Sequence, residues 1–437
     1  MTPIDLLVTN ASQLVTCGAG DAAACASPKR GPAPKRGDDM LDPVIIPGGA
    51  VAIDKGRILA TGPTADVTKT FAAARTLDAC GKAVCPGFID AHTHVVYAGD
   101  RLDEFELKIR GAAYLDILAA GGGIHNTVRR VREASLECLV AETLPRLHEM
   151  LQLGTTTAEV KTGYGLDTAT ELKMLAAIEA LDAGQPIDLV PTFLGAHAVP
   201  LEFAGRADEY VECVIEEQIP AAAAWYGKSS FARRGVPFFI DVFCEHNAFS
   251  LDQSRRILEA GIAHGMRVKA HVDEFTHLGG AALALSLNAA SIDHLDVTTA
   301  AELNQAADAS TVCVLLPAVN FHFGSAHFAD ARAMLDAGAA VAIATDRNPG
   351  SAPCPSMPLV MAIACRYQKL LPAEALHAVT INAAAATGIG AEAGSLEPGK
   401  RADLLILKSA DYRSLAYEFG GNPIDTVIKR GEVYHNA

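Results

Sequence analysis

The sequence predicts an α/β fold in which a (β/α)8 TIM-like barrel is joined to a small β-sandwich domain assembled from both chain ends. Three observations carry the prediction. Short apolar runs alternate with longer helix-compatible segments through the middle of the chain, as buried parallel strands and their crossover helices do. Both ends instead carry paired β-like runs around tight turns. At 437 residues the chain is also too long for one core, which stops growing near about 250–300 residues.

Taken in order, MTPIDLLVTNASQLVTC carries Asp5 and no Lys or Arg before its apolar stretch, so it lacks the basic start of a secretory signal. VAIDKGRILATG reads as two β runs around a Lys55-Gly56 turn. Residues 17–48 are rich in Gly, Pro and Ala, contain KRG twice, and are expected to form a mobile insertion that buries no core. The barrel strands are expected at 87–94, 155–160, 188–195, 238–245, 267–274, 290–295, 311–317 and 340–346. Helices lie between them, such as SLDQSRRILEAGIAHG, opened by Ser250 as N-cap and closed by Gly265. ADLLILK and DTVIKRGEVY return to the β texture of the N-terminus. The expected domains are therefore 1–84 with 391–437, and 85–390 for the barrel. A doubly wound open sheet is the competing architecture, but no Gly-rich phosphate fingerprint follows the first strand.

Half the residues are hydrophobic and 20% are charged, which suits a globular protein. The net charge of −15 argues against nucleic acid or an anionic membrane surface as partner, though not against a small anionic substrate in a locally basic site. No apolar run approaches the roughly 20 residues that span a bilayer. Ten cysteines without C-x-x-C pairs point to buried thiols in a reducing compartment, so the expectation is a cytoplasmic enzyme and, by symmetry priors, a homodimer.

Chemistry in such a barrel sits where the strands stop. The first strand stops at His92 and His94, two apart and therefore on one face. The fifth stops at His271, with Glu274 three residues on, the sixth at Asp293-His294, and the eighth at Asp346. Three His and one Asp from three strands suit a borderline divalent cation, zinc or iron alike, with one position left for water.

With PGFIDAHTH, the HxxE of His271 and Glu274, His294 and Asp346, the chain resembles the metal-dependent amidohydrolase superfamily, and its split β domain resembles that superfamily's usual partner. A narrower likeness rests on DRLDEFELK, AGGGIHNTV, GTTTAEVKTGYGLD, FLGAHAVP, DVFCE, AHVDEF, ATDRNPGS and GSLEPGKRADLLIL, from about residue 50 to the C-terminus. It implies hydrolytic opening of the cyclic amide of 4-imidazolone-5-propanoate to N-formimidoyl-L-glutamate in histidine breakdown. It also implies one metal ion per subunit on His92, His94, His271 and Asp346. Two-metal members carry a bridging carboxylated Lys on the fourth strand, which here ends in Phe243-Cys244-Glu245, whereas Lys161 follows the second.

In that reading the metal activates water, Glu274 is the general base and also touches substrate, and Asp346 serves both metal and catalysis. His294 either polarises the carbonyl or holds the water, or it is a supporting histidine bonded to Asp346. Arg101 receives the propionate. Tyr164 and His197 touch the substrate, Gly350 lets backbone amides approach, and Asn348 and Ser351 supply side-chain bonds. Arg347 fits less well, as a cation beside a metal ligand that either repels the metal or helps bind the propionate. Val272, often Ala in relatives, is expected on the back of its strand, and His322 and His327 are read as loop histidines. Two readings compete. One is an aminohydrolase acting on a cytosine- or guanine-like ring, against which Arg101, Tyr164, His197 and NPGS argue. The other is a barrel kept as a scaffold, against which the intact ligand set argues.

Overall fold

The computed structural model describes residues 1–18, 34–111 and 122–435. Its centre is a parallel sheet of eight strands in sequential order. These are β6 (Phe88–Asp90), β7 (Thr155–Lys161), β8 (Asp188–Ala196), β9 (Phe239–Cys244), β10 (Arg267–Val272), β11 (Ser291–His294), β12 (Val312–Leu315) and β13 (Ala340–Ile343). Each falls within or across an expected strand. The apolar runs betray them because a strand covered by helices outside and side chains inside has no wet face, and every residue of β7 is buried.

The first strand is shorter than expected, and the reason lies in how the barrel closes. Residues 91–94 run beside the chain after β13, while Thr93 O still accepts from Lys161 N of β7 at 3.0 Å. Asp346 N donates to His92 O at 3.0 Å, His94 N donates to Arg347 O at 3.0 Å, and Thr93 bridges Arg347. Asp90 completes the seam, accepting from Thr345 N at 3.1 Å and from Thr345 Oγ1 at 2.5 Å. The segments that close the barrel are thus the ones that carry His92, His94 and Asp346.

The expected helix between β9 and β10 spans Leu251–Ala263. Ser250 and Gln253 form a reciprocal capping box, and Gly265, at φ +80°, turns the chain out of the helix. A second sheet gathers the chain ends. It contains β1 (Thr2–Val15), β2 (Ile45–Asp54), β3 (Arg57–Pro63), β4 (Phe71–Asp78) and β5 (Val84–Pro86) from the N-terminal side. From the C-terminal side come β14 (Leu404–Leu407), β15 (Ile424–Lys429) and β16 (Glu432–His435). The strand order is β16-β15-β14-β5-β1-β2-β3, with β4 parallel to β1. Apolar clusters that include Leu6, Val51, Ile53 and Leu404 in one, and Ile4, Leu7 and Ala52 in another, pack it.

Residues 19–33 of the expected mobile insertion lie outside the described residues, but its last part departs from the expectation. Residues 37–40 form a short helical turn with Met40 fully buried. Arg36 donates to the carbonyls of Ala307 and Ala309, and Lys35 N donates to Asn382 Oδ1 at 2.7 Å. The second KRG is pinned to the barrel by carbonyls that no local pattern reveals. Nine cysteines are among the described residues and all are free; Cys17, Cys85, Cys244 and Cys313 are buried, whereas Cys80 is exposed. No helix among the described residues is long and apolar enough to cross a membrane.

Candidate active site

His92 and His94 lie just beyond β6, and period-two geometry sends both imidazoles into the barrel mouth. His271 enters from β10 and Asp346 from the seam after β13, at a left-handed φ of +51°. Four atoms converge there. His94 Nε2 is 3.3 Å from His271 Nε2, and Asp346 Oδ1 is 3.4 Å from both His92 Nε2 and His94 Nε2. His92 Nε2 and Asp346 Oδ1 are fully buried and have no hydrogen-bond partner within the protein. Buried polar atoms rarely go unpaired. Four ligands at 2.0–2.1 Å around a tetrahedral zinc stand roughly 3.3–3.4 Å apart, so these residues fit a single divalent cation.

The far sides of the imidazoles are tied down. His92 Nδ1 pairs with Asp293 Oδ2 at 2.6 Å, and His271 Nδ1 with Asp241 Oδ1 at 3.1 Å. Such carboxylate partners fix the tautomer and aim the other nitrogen. Sequence reasoning assigned neither carboxylate a role, although Asp293 adjoins His294 and Asp241 breaks an otherwise apolar strand. Lys161 also needs correction. It is the last residue of β7 rather than a loop residue after it, fully buried, with Nζ 2.8 Å from Glu159 Oε1 and 2.7 Å from Asp241 Oδ2.

Around these groups stand the other expected residues. Glu274 follows β10 at the mouth, and burial, reinforced by the Asp346 carboxylate, holds its carboxyl well above the usual range. Burial likewise raises Asp346, to about 7. His294, at φ +82°, places Nε2 3.7 Å from Glu274 Oε2 while its Nδ1 has no partner in the protein. No hydrogen bond joins it to Asp346 among the described residues, although one of its ring nitrogens lies within 4.8 Å of ligand atoms of His92 and Asp346. Positive φ at His294 and Asp346 marks strain of the kind that gathers at working sites.

His197 stacks on His94 with ring centroids 4.8 Å apart, and its Nδ1 pairs with Gly163 O at 3.1 Å. Burial, then His271, lowers it to about 3, so it is neutral. Tyr164 is buried 5.8 Å from the His94 ring, and burial raises its phenol well above the ordinary value. Its loop is held by Glu171, a residue sequence reasoning missed, which accepts from the amides of Gly163, Gly165 and Leu166 at 3.0, 2.7 and 2.8 Å.

Arg101 immediately precedes the helix Leu102–Ile109, its Nε and Nη2 both on Glu104 Oε2 at 2.8 and 2.7 Å. It lies against Gly350: a Cβ there would stand 2.0 Å from Arg101 Nη1. Lys108 Nζ, also missed, donates to Gly350 O at 3.0 Å. Asn348 departs from the expectation that its side chain is free for substrate. Its Nδ2 donates to Asp346 O and Ser351 Oγ, and its Oδ1 accepts from the amides of Gly350 and Ser351. The Asn348 side chain therefore builds the loop that Gly350 and Ser351 present.

Arg347 turns away from the site, the left-handed backbone at Asp346 redirecting the chain just before it. Its Nη2 is 2.7 Å from Glu149 Oε2 and its Nη1 donates to Arg146 O. Its guanidinium is thus engaged by Glu149 and the Arg146 carbonyl rather than by Asp346. Val272 faces the helix Gly280–Ser286, as a back-side residue should. His322 ends the helix Pro317–His322 beside Phe105, and His327 Nε2 pairs with Asp296 O at 2.7 Å.

Comparison with known proteins adds three findings. The Amidohydrolase family matches residues 83–434, and an imidazolonepropionase-like composite domain of bacteria matches residues 49–74. The imidazolonepropionase of Chloroflexus aggregans is 57% identical over 433 residues, 99% of each chain, and that of Herpetosiphon aurantiacus is 46% identical over 434 residues, 99% of this chain and 98% of that one. Among solved structures, an adenosine deaminase of Xanthomonas campestris with bound zinc superposes with a TM-score of 0.70 at 21% identity, covering 99% of this chain and 93% of that one. The guanine deaminase of Escherichia coli gives 0.70 at 16% identity, covering 99% of both. At those identities the deaminases share the fold, and the fold is all the likeness carries.

Proposed function

The chain belongs to the amidohydrolase family and, within it, to the imidazolonepropionases, and from that membership we propose how its site works. The reaction is hydrolysis of the cyclic amide of 4-imidazolone-5-propanoate to N-formimidoyl-L-glutamate, a step of histidine degradation. The observation that carries the chemistry is the convergence of His92, His94, His271 and Asp346 at 3.3–3.4 Å in a chain 57% identical to an imidazolonepropionase. One divalent ion, zinc or iron, would be held by those four residues. Such an ion polarises a carbonyl and makes water acidic enough to attack near neutral pH.

The protein's own groups do the rest. Glu274 takes the proton of the attacking water and returns it to the ring nitrogen as the C–N bond breaks, a two-way task suited to a carboxyl that burial keeps basic. His294, 3.7 Å from Glu274, orients that exchange and offers its unpaired Nδ1 to the substrate side. Arg101, already aligned by Glu104, receives the propionate beside Gly350. Tyr164 donates a hydrogen bond from a phenol that stays protonated, and His197 lays a neutral ring beside the heterocycle. Ser351 and the Gly350 backbone complete the pocket, with Asn348 holding both. We place the enzyme in the cytoplasm as a homodimer, which native mass measurement checks.

Supplying 4-imidazolone-5-propanoate to the metal-loaded protein tests the reading. Its ultraviolet absorbance should fall as formimidoylglutamate rises in equal amount, with no ammonia released. Ammonia in place of formimidoylglutamate would favour the deaminase chemistry of the fold relatives, and no turnover with zinc or iron would end the proposal.

A further inference from the structure

Three carboxylates surround the backs of the ligand histidines, and all are fully buried: Glu159, Asp241 and Asp293. Each holds a different part of the cation site. Asp293 pairs with His92 Nδ1 at 2.6 Å, and Asp241 with both Nδ1 and the backbone amide of His271, at 3.1 and 3.2 Å. Glu159 Oε2 accepts from the amide of Thr93, the residue between His92 and His94, at 3.3 Å. Carboxylates so placed repel one another, and in a dry interior each is strongly disfavoured unless a cation answers it.

One ammonium answers all three. Lys161 Nζ lies 2.8 Å from Glu159 Oε1, 2.7 Å from Asp241 Oδ2 and 3.7 Å from Asp293 Oδ2. The other buried ammonium nearby, on Lys269, feels the same three carboxylates through space but makes no ion pair with them within 4 Å, its hydrogen bonds going to Ser291 Oγ at 2.8 Å and the carbonyls of Ala91 and Ala386. We infer that Lys161 is a positioning residue for the metal centre: its ammonium holds Asp241 and Asp293 in place, and they in turn aim His271 and His92 at the cation. The same atom of Asp293 that meets His92 is the one nearest Lys161, so the lysine and the imidazole share an anchor. Asp241 divides the work, one oxygen on Lys161 and the other on His271. Without the ammonium, the mutually repelling carboxylates move apart, and that change releases the imidazoles.

This inference rests on the metal-centre reading above, and the test separates the two. Apo-protein of the full chain is titrated with zinc alone, in competition with a coloured chelator, for the unaltered chain and for Lys161→Met. Cobalt spectra of both report ligand geometry. Loss of an orienting partner typically costs 10–100-fold in metal affinity, so Lys161→Met should bind zinc about 10–100-fold more weakly and shift the cobalt spectrum, and Lys161→Arg should recover part of the loss. Should Lys161→Met fail to fold, Lys161→Met with Glu159→Gln removes one charge of each sign and is compared with Glu159→Gln alone, with the same drop expected. Unchanged zinc affinity and cobalt spectrum, whatever happens to melting temperature, would overturn the role of Lys161. An unaltered chain that binds no zinc or cobalt would overturn the metal centre itself.

Discussion

Gly350→Ala should damage substrate binding through Arg101 while sparing the metal. A Cβ at Gly350 would stand 2.0 Å from Arg101 Nη1 and 2.4 Å from its Cζ. Ordinary contacts begin near about 3.5 Å, so the guanidinium has to retreat by roughly 1.5 Å. It has little room to adapt, because Glu104 grips two of its nitrogens and its side chain is only 11% exposed. A hydrogen bond to a charged group is worth about 1.5–3 kcal/mol. At 1.4 kcal/mol per decade, its loss lowers kcat/KM roughly 10- to 150-fold. Steady-state decay of the imidazolone absorbance measures the effect, and elemental analysis checks that bound metal is unchanged. Arg101→Ala should cost a similar factor, and adding Gly350→Ala to it should cost little more, because the clashing group is gone. If the two substitutions multiply, or Gly350→Ala leaves kcat/KM untouched, the contact does not work as argued.

Three further outcomes follow from the geometry. Glu274→Gln should keep its metal and lose roughly 10²–10⁴ in kcat, as removal of a general base does; wild-type turnover would disqualify it. Arg347→Ala should leave kcat/KM and metal content alone, and its outward pair with the half-exposed Glu149 is worth no more than about 1 kcal/mol of melting stability. Asp188, on β8, meets Lys429, Arg401 and Arg430 from the C-terminal segment at 2.7–2.9 Å, and these cations outweigh burial and hold its carboxyl well below the usual range. Asp188→Asn should therefore cost about 3–5 kcal/mol near neutrality. The sign follows from a depressed acid: its stabilisation is full above the unfolded pKa of about 3.9 and fades as pH falls below it. The melting gap between the two proteins should thus narrow in acid, and a gap that widens would contradict the assignment.

How legible the site was depends on where each residue's partners lie in sequence. The barrel strands were readable because burial on both sides leaves apolar runs, and His92, His94, His271 and Asp346 because strand ends bring distant residues to one mouth. The carboxylates behind them were less visible, since Glu159, Asp241 and Asp293 look like isolated polar interruptions of apolar strands. A cue existed: Ala158-Glu159-Val160-Lys161 alternates within a strand that has no wet face, so its charges have to meet inside the barrel. The salt bridge of Arg101 and Glu104 was likewise hidden in i,i+3 spacing until the helix start at Leu102 was fixed. Arg36 was beyond reach, because the carbonyls of Ala307 and Ala309 that capture it lie some 270 positions away. Arg347 misled because adjacency to Asp346 in sequence suggested a shared site, whereas its guanidinium bonds Glu149 and the Arg146 carbonyl.

The most direct measurement is activity against added metal. Stripped protein is titrated with zinc or iron(II) while formimidoylglutamate formation from 4-imidazolone-5-propanoate is followed. The account predicts no activity at zero metal, a linear rise, and a break at one equivalent per chain that disappears in Asp346→Asn. Activity in the stripped protein, or a break at two equivalents, would contradict a single ion held by His92, His94, His271 and Asp346.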